Sequence, residues 1–363
     1  MRGVRFSTSR MLDSGDCLSS RIGKGDLIAW NESSMSAAAP SDTAGSQRSL
    51  IRSVLAYGIV AAFVILCAHY VFEHLQDFAF VAAVSFPAIV AAGILVLVSY
   101  VLNAYQLSLF LKNFKVSLGF TELMALTTGM LLGNLLIPMR GGTGGLALYL
   151  KRVHDLDFGS FAAIYGGTAV LIALINSGMA IVALVLLGWL HNFSHPLLSI
   201  FVVGIFACCL YLSLFPPPIR WKRSGLLGLA FRAARSWHLL TRNRRLLLAL
   251  ALSFLAMSFS LMSAFYLIYG ALGMPLSASA VLITSSLGNI ANLIPITPGS
   301  LGVFDAVMIQ VPQIFGLDPA RSIAATLVFR VLSFFWAFLF GIPGMIYILR
   351  VGKVNRGIGK DLT

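Results

Sequence analysis

Charge is what this chain has least of. Only 11% of its 363 residues are Asp, Glu, Lys or Arg, against about a quarter in an ordinary soluble protein. A water-facing surface along the whole chain is therefore excluded. Acids are scarcer still, 13 Asp and Glu beside 26 Lys and Arg. The four cysteines, Cys17, Cys67, Cys208 and Cys209, show no metal-ligand spacing, which speaks against zinc and against a disulfide framework. Six histidines, His69, His74, His154, His191, His195 and His238, lie scattered at turns and helix ends, and HExxH, GxSxG and P-loop motifs are missing. No catalytic residue, metal or cofactor is expected. What the chain does have is 58% hydrophobic side chains, 26 of them Phe, and a mean hydropathy of +0.88. That excludes a long disordered protein, which is defined by low hydrophobicity and high charge. The bulk folds with lipid as its solvent.

The surplus of Lys and Arg is clustered. Residues 1–50, rich in Ser, Ala and Gly, carry Arg2, Arg5, Arg10, Arg21, Lys24 and Arg48 and no signal-peptide core, and are expected to be a disordered basic tail. Apolar runs follow at 53–72, 84–111, 119–138, 162–190, 196–215, 247–270, 278–295 and 322–349. A spanning helix needs about 20 mainly apolar residues, and the pieces 141–150 and 303–316 fall short. Lys112 and Lys115, Lys151 and Arg152, the stretch from Arg220 to Arg245, and the end with Arg350, Lys353, Arg356 and Lys360 are placed in the cytoplasm by the positive-inside rule. The loops near 73–83, 191–195 and 271–277 lack Lys and Arg and go outside. All the basic residues are then accounted for except Arg140, Arg321 and Arg330, so the net charge of +13 is a topology signal that needs no nucleic acid. The 220–245 stretch reads equally as an interfacial amphipathic helix or as a solvated basic loop.

Parity now constrains the short pieces. The region 119–150 begins and ends inside, and 278–316 begins and ends outside, so each is expected to be a re-entrant hairpin, entering from opposite faces. The fold class expected is an all-α polytopic membrane protein with about six full spans and two such hairpins. It is built as an inverted repeat with halves at about 53–190 and 196–350 and both termini cytoplasmic. The transmembrane domain covers 51–352 and a short tail 353–363. The hairpins are also alike in sequence. The first has Leu132, Gly133 and Asn134, then IPMRGGTGG over 137–145; the second has Leu287, Gly288 and Asn289, then IPITPGSLG over 294–302. Pro138, Pro295 and Pro298 break helices, while Gly141, Gly142, Gly145, Gly299 and Gly302 let the backbone turn and approach a ligand. Helix starts after Gly145 and Gly302 would aim free N–H groups into a polar cavity, where an anion such as phosphate would fit.

With these residues the chain resembles the transmembrane, flippase-like domain of lysylphosphatidylglycerol synthases and its stand-alone relatives, over about residues 50–352. The most specific stretches are LIPITPGSLGVFDA, 293–306, and LVFRVLSFF, 327–335, with Asp305 and Arg330 at the family's acidic and basic positions. Pro138, Arg140 and Gly142 match the first-half pattern, but Thr143 stands where the family usually has glutamate, and an acid–arginine pair is missing around 165–169. The resemblance implies movement of an anionic phospholipid or polyprenyl-linked lipid between leaflets of the cell membrane. The alternative is a non-transporting subunit that presents lipid to a separate synthase or glycosyltransferase. No soluble aminoacyl transferase domain is expected after the last span, and the protein is not expected to be an enzyme.

The headgroup site is expected among Arg330, Arg140, Asp305, Thr143, Ser300, Asn134, Asn289 and Asn292. Arg330 lies within an apolar run, where a charge costs about 2.5–3.5 kcal/mol on insertion scales, so it needs either a partner, with Asp305 the obvious one, or a wet cavity. Arg140 is either a phosphate-binding guanidinium or an ordinary cytoplasmic charge. The asparagines, with Asn176 and Tyr165, either line a cavity or bond across helices.

Overall fold

Hydrocarbon offers a peptide group no hydrogen bond, so a chain of this composition must satisfy its backbone internally, as helix. The computed structural model describes residues 85–137, 140–156, 158–192, 194–215, 243–274, 276–294, 300 and 302–358. All of them belong to the unit Ala56–Thr363, and among them every regular element is a helix. In chain order these are α1 (Phe86–Asn113), α2 (Phe120–Leu136), α3 (Gly141–His154), α4 (Phe158–His191), α5 (Pro196–Leu214), α6 (Arg244–Ala271), α7 (Ala278–Ala291), α8 (Val303–Ile314) and α9 (Pro319–Ile358). The 1–50 tail, the first apolar run, residues 216–242, and Pro138, Pro295, Pro298 and Gly299 lie outside the described residues.

Among the described residues four helices are long and apolar enough to cross a membrane, within α1, α4, α6 and α9. Their outward faces stay apolar: Val185, Trp189, Leu248, Val331 and Phe335 are exposed, as lipid contact requires. The 14 residues of α3 and 12 of α8 extend only about 21 and 18 Å at 1.5 Å per residue. Both are too short to span. Each packs instead against the helix before it, α3 on α2 and α8 on α7, giving two helical hairpins.

The hairpins are held by helices distant in sequence. The most extensive contacts in the molecule join α1 with α6, α2 with α9, and α7 with α4. On the first hairpin, Leu123, Leu126, Leu146 and Leu150 form a core with Ala104 and Leu107 of α1. On the second, Phe304 and Met308 join Phe265 and Ile268 of α6 and Phe329 of α9. The α2–α9 contact is close because Gly344 leaves no room for a Cβ, which would sit 2.7 Å from the Ala125 carbonyl. Small residues of this kind let membrane helices meet backbone to backbone. Pro343 interrupts the hydrogen-bond ladder of α9, and in that opened turn the Thr128 hydroxyl of α2 donates to the Phe340 carbonyl at 3.2 Å.

At its open end the first hairpin is clasped by polar groups. The Tyr149 hydroxyl of α3 donates to Glu122 Oε1 at 2.8 Å, and His154 Nε2 lies 3.1 Å from the same oxygen. His154, which reads in the sequence as one more scattered histidine, thus ties the last turn of α3 to the first turn of α2. At the tip end the arms touch. A Cβ on Gly133 would lie 2.7 Å from Gly142 Cα, and one on Gly142 only 2.0 Å from the Met130 carbonyl oxygen.

That contact also corrects the expected start of the second arm. The helix begins at Gly141, a full turn before the start read after Gly145, which becomes an exposed interior position of α3. The close seat of Gly142 on α2 outweighs the roughly 0.5–1 kcal/mol that glycine costs inside a helix. The two glycines should therefore respond oppositely to alanine. Gly142→Ala is expected to destabilise the protein by about 1–3 kcal/mol through overpacking. Gly145→Ala, with nothing within 4 Å, should stabilise it by about 0.5–1 kcal/mol. Thermal unfolding of the two variants in detergent, followed by helical signal, checks both signs.

Candidate functional site: a polar cavity between two hairpin tips

Arg330 is held on two sides. It lies on α9 with 14% of its side chain exposed, and its Nε donates to Asp305 Oδ1 at 2.8 Å, the carboxylate being only 4% exposed. Its guanidinium also lies over the Phe304 ring, 4.7 Å from the centroid, a contact of about 0.5–2 kcal/mol. Asp305 has a second duty. As the third residue of α8, it accepts from the Gly302 N–H through Oδ2 at 3.1 Å. The carboxylate thereby closes the start of the helix and compensates its dipole. Gly302, at φ 97°, is the residue before the first helical turn, as the sequence leads one to expect.

The first hairpin solves the same problem without charge. The third residue of α3 is Thr143, and its N–H donates to Oδ1 of Asn134, on α2, at 2.9 Å. Asn134 Nδ2 donates back to the Thr143 hydroxyl at 3.2 Å. A neutral carboxamide on one arm thus caps the helix of the other. On α4, residues 165–169 are Tyr, Gly, Gly, Thr and Ala, so they supply no acid–arginine pair.

Arg140 precedes α3 in the left-handed conformation, φ 58°, and Ser300 at the other tip is also left-handed, φ 54°. A non-glycine residue pays about 1–2 kcal/mol for that region, which the surrounding contacts must offset. They do so by joining the tips. Arg140 Nη2 donates to the Asn292 carbonyl beyond the end of α7 at 2.5 Å, and the Ser300 hydroxyl reaches the same oxygen at 3.5 Å. Among the described residues Arg140 has no carboxylate partner. Asn292 offers it only a neutral carbonyl, the one left over where α7 stops.

Around these groups lies a cavity of about 330 Å³, within the range of small-molecule sites. Arg140, Thr143, Asn134, Asn289, Asn292, Ser300 and Arg330 all line it, with Asp305 behind Arg330. Gly141 and Gly142 form the first turn of α3 between Arg140 and Thr143, whereas Gly145 lies further along the helix. Asn289 is shared with a structural knot: its Nδ2 donates to Asn176 Oδ1 at 3.0 Å, and Ser258 donates to that oxygen at 3.2 Å. Both readings of this asparagine are therefore correct. Tyr165 also lines the cavity, as do Asn103 and Gln106 on α1 and Tyr100 near them. The last three were not picked out from the sequence, although an Asn and a Gln three apart inside an apolar run are a legible signal for one polar helix face.

Comparison with known proteins bears on the same residues. Over 82 residues, 23% of its length, the chain is 34% identical to a UPF0104 membrane protein of Methanothermobacter thermautotrophicus (strain Delta H). The matched stretch covers 24% of that protein, so the chain spans about a quarter of this curated relative. Residues 50–341, a range containing both hairpins and the whole cavity, match the family described as the lysylphosphatidylglycerol synthase TM region. The chain belongs to that membrane-protein family.

Proposed function

We propose that the protein moves a phosphate-bearing lipid, an anionic phospholipid or a polyprenyl-linked lipid, between the leaflets of the cell membrane, its headgroup passing through the cavity between the hairpin tips. The observation that carries this reading is the Arg140 contact. One cation both lines the cavity and ties the tip of one hairpin to the tip of the other. A phosphate entering the cavity competes for that cation on favourable terms. A phosphate offers the guanidinium an opposite charge and two parallel acceptor oxygens, where Asn292 offers a single neutral carbonyl. Taking Arg140 from the Asn292 carbonyl releases the tie between the hairpins, so headgroup occupancy and hairpin separation become linked. Arg330 adds field without moving, because Asp305 and Phe304 hold it in place.

In this reading the molecule is an inverted repeat with both termini in the cytoplasm and hairpins entering from opposite faces. The exchange of partners supports it: α2 packs on α9 while α7 packs on α4, each first arm lying against the last long helix of the other half. The protein acts as a transporter rather than an enzyme, and any uphill movement draws on a gradient or a partner.

Reconstitution of the full chain into vesicles containing fluorescent phosphatidylglycerol, with quenching of the outer leaflet, tests the function. Wild type should equilibrate the label between leaflets, and Arg140→Gln should slow it by about tenfold or more, the equivalent of one charge-assisted bond. Equal rates for wild type, Arg140→Gln and Arg330→Ala discard the site. Binding without movement would instead leave a subunit that presents lipid to another enzyme.

The buried pair carries a separate expectation. Asp305→Asn or Arg330→Gln alone should lower stability by about 3–5 kcal/mol by stranding a charge, and the double variant should recover much of that loss. Thermal midpoints of the three variants check the non-additivity. Topology is open to labelling as well. Cysteines introduced at Ser117 and Ser277, each preceding the first arm of a hairpin, should react with an impermeant maleimide from opposite sides of the membrane. Labelling from one side would refute the inverted arrangement.

A further inference from the structure

The charges that are missing from the cavity narrow what it can hold. Among the described residues its Arg, Lys, Asp and Glu lining consists of Arg140 and Arg330, beside the hydroxyls of Tyr100 and Tyr165, and the carboxylate next to them, Asp305, has both oxygens engaged, one by Arg330 Nε and the other by the Gly302 N–H. Two cations against one anion leave a positive excess, and it sits on Arg140. Acids are scarce in the rest of the sequence as well. After Asp77 the chain contains only Glu122, Asp155, Asp157, Asp305, Asp318 and Asp361, and the first apolar run, 53–72, has none. Residues 138–139, 295–299 and 301, which complete the hairpin tips in sequence, are also free of acids. Glu122 is committed to Tyr149 and His154 at the opposite end of the first hairpin, about 21 Å along the helix from Leu136 at its tip end.

An ammonium group brought into this space would be desolvated beside Arg140 with no counter-charge, a penalty that rises steeply as the local dielectric falls. A phosphate would instead find one uncompensated guanidinium. The remaining polar lining among the described residues is divided between hydroxyls and carboxamides, the latter including Asn103, Gln106, Asn134, Asn289 and Asn292. Such groups both donate and accept, as hydroxyls do, and they are the natural partners of a polyol.

We infer that the cavity selects a phosphate ester whose headgroup is uncharged and hydroxyl-rich, a glycerol or a sugar, and rejects headgroups that carry an amine. The inference rests on the reading of this cavity as a headgroup site, and it depends on Thr143. This side chain occupies the third position of α3, the place held in α8 by Asp305. Were that residue acidic, the first hairpin would carry its own carboxylate within reach of Arg140 and of an amine.

Binding and movement are measured separately, so that the two ideas can fail separately. The full chain in detergent is titrated with short-chain phosphatidylglycerol, short-chain lysyl-phosphatidylglycerol and a polyprenyl phosphate glucose, with intrinsic fluorescence as the readout. At least one of the two uncharged headgroups should bind about tenfold or more tightly than the lysyl lipid, a factor of ten being the effect of one modest interaction. Which of the two does so separates a glycerol from a sugar ligand. Arg140→Gln should erase the preference, and Thr143→Glu should narrow or reverse it. Equal or tighter binding of lysyl-phosphatidylglycerol by wild type overturns the inference, as does failure of all three lipids to bind. If the preference is found but labelled lipid does not cross reconstituted vesicles, headgroup selection stands and translocation falls. If lipids cross without regard to amine content, the reverse holds.

Discussion

A helix that ends within a bilayer leaves amide or carbonyl groups that hydrocarbon cannot satisfy, and the centre of this molecule is arranged around four such ends. The C-terminal ends of α2 and α7 and the N-terminal ends of α3 and α8 meet at one place, where side chains close three of the four. Asn134 on α2 closes α3, Asp305 closes its own helix, and Arg140 and Ser300 both turn to the carbonyl beyond α7. Convergence of the two tips is thus a requirement of backbone chemistry before it is anything else. The cavity is the space that these polar groups cannot fill.

The two hairpins meet this requirement with different chemistry, and the difference sets the electrostatics of the site. A carboxylate at the third position of α8 is a good cap, but inside a bilayer it needs a counter-ion, and Arg330 supplies it. The pair is consequently more framework than binding group: its net charge is zero, and the Asp305 oxygens are both in use. At the third position of α3 a threonine meets a carboxamide, and no counter-ion is called for. Arg140 then stands beside a neutral cap, and its charge is not cancelled. One conservative-looking exchange, hydroxyl for carboxylate, decides whether a cation at the tip is a structural partner or an available one.

Much of this was legible in a sequence so poor in charge. Segment positions followed from hydropathy, and the two hairpins from combining short arms with the parity of Lys and Arg. The Arg330–Asp305 pair followed from the cost of an isolated arginine in an apolar run. Residues that depend on a partner across the fold were harder to place. The clasp of Glu122 with Tyr149 and His154 joins residues 27 and 32 apart in the chain, and no local spacing marks it. The start of α3 was misplaced because glycine propensity argues against a helix through 141–145, and only the neighbouring backbone of α2 explains why Gly142 belongs in one. Asn103 and Gln106 lay in plain view, but their meaning depends on which face of α1 turns toward the tips.

The chain's scarcity of charge gives weight to the charges that remain. The positive-inside reading of the sequence leaves three basic residues over, and two of those three, Arg140 at the first hairpin tip and Arg330 on α9, line the same cavity. Helix closure explains Arg330 through Asp305, but it does not explain Arg140, because a carbonyl such as that of Asn292 could be satisfied by any neutral donor at far lower desolvation cost. Ser300 already reaches toward that oxygen. A full positive charge where a hydroxyl would serve is therefore the feature that the fold does not need, and it stands where an anion entering between the hairpins would meet it first.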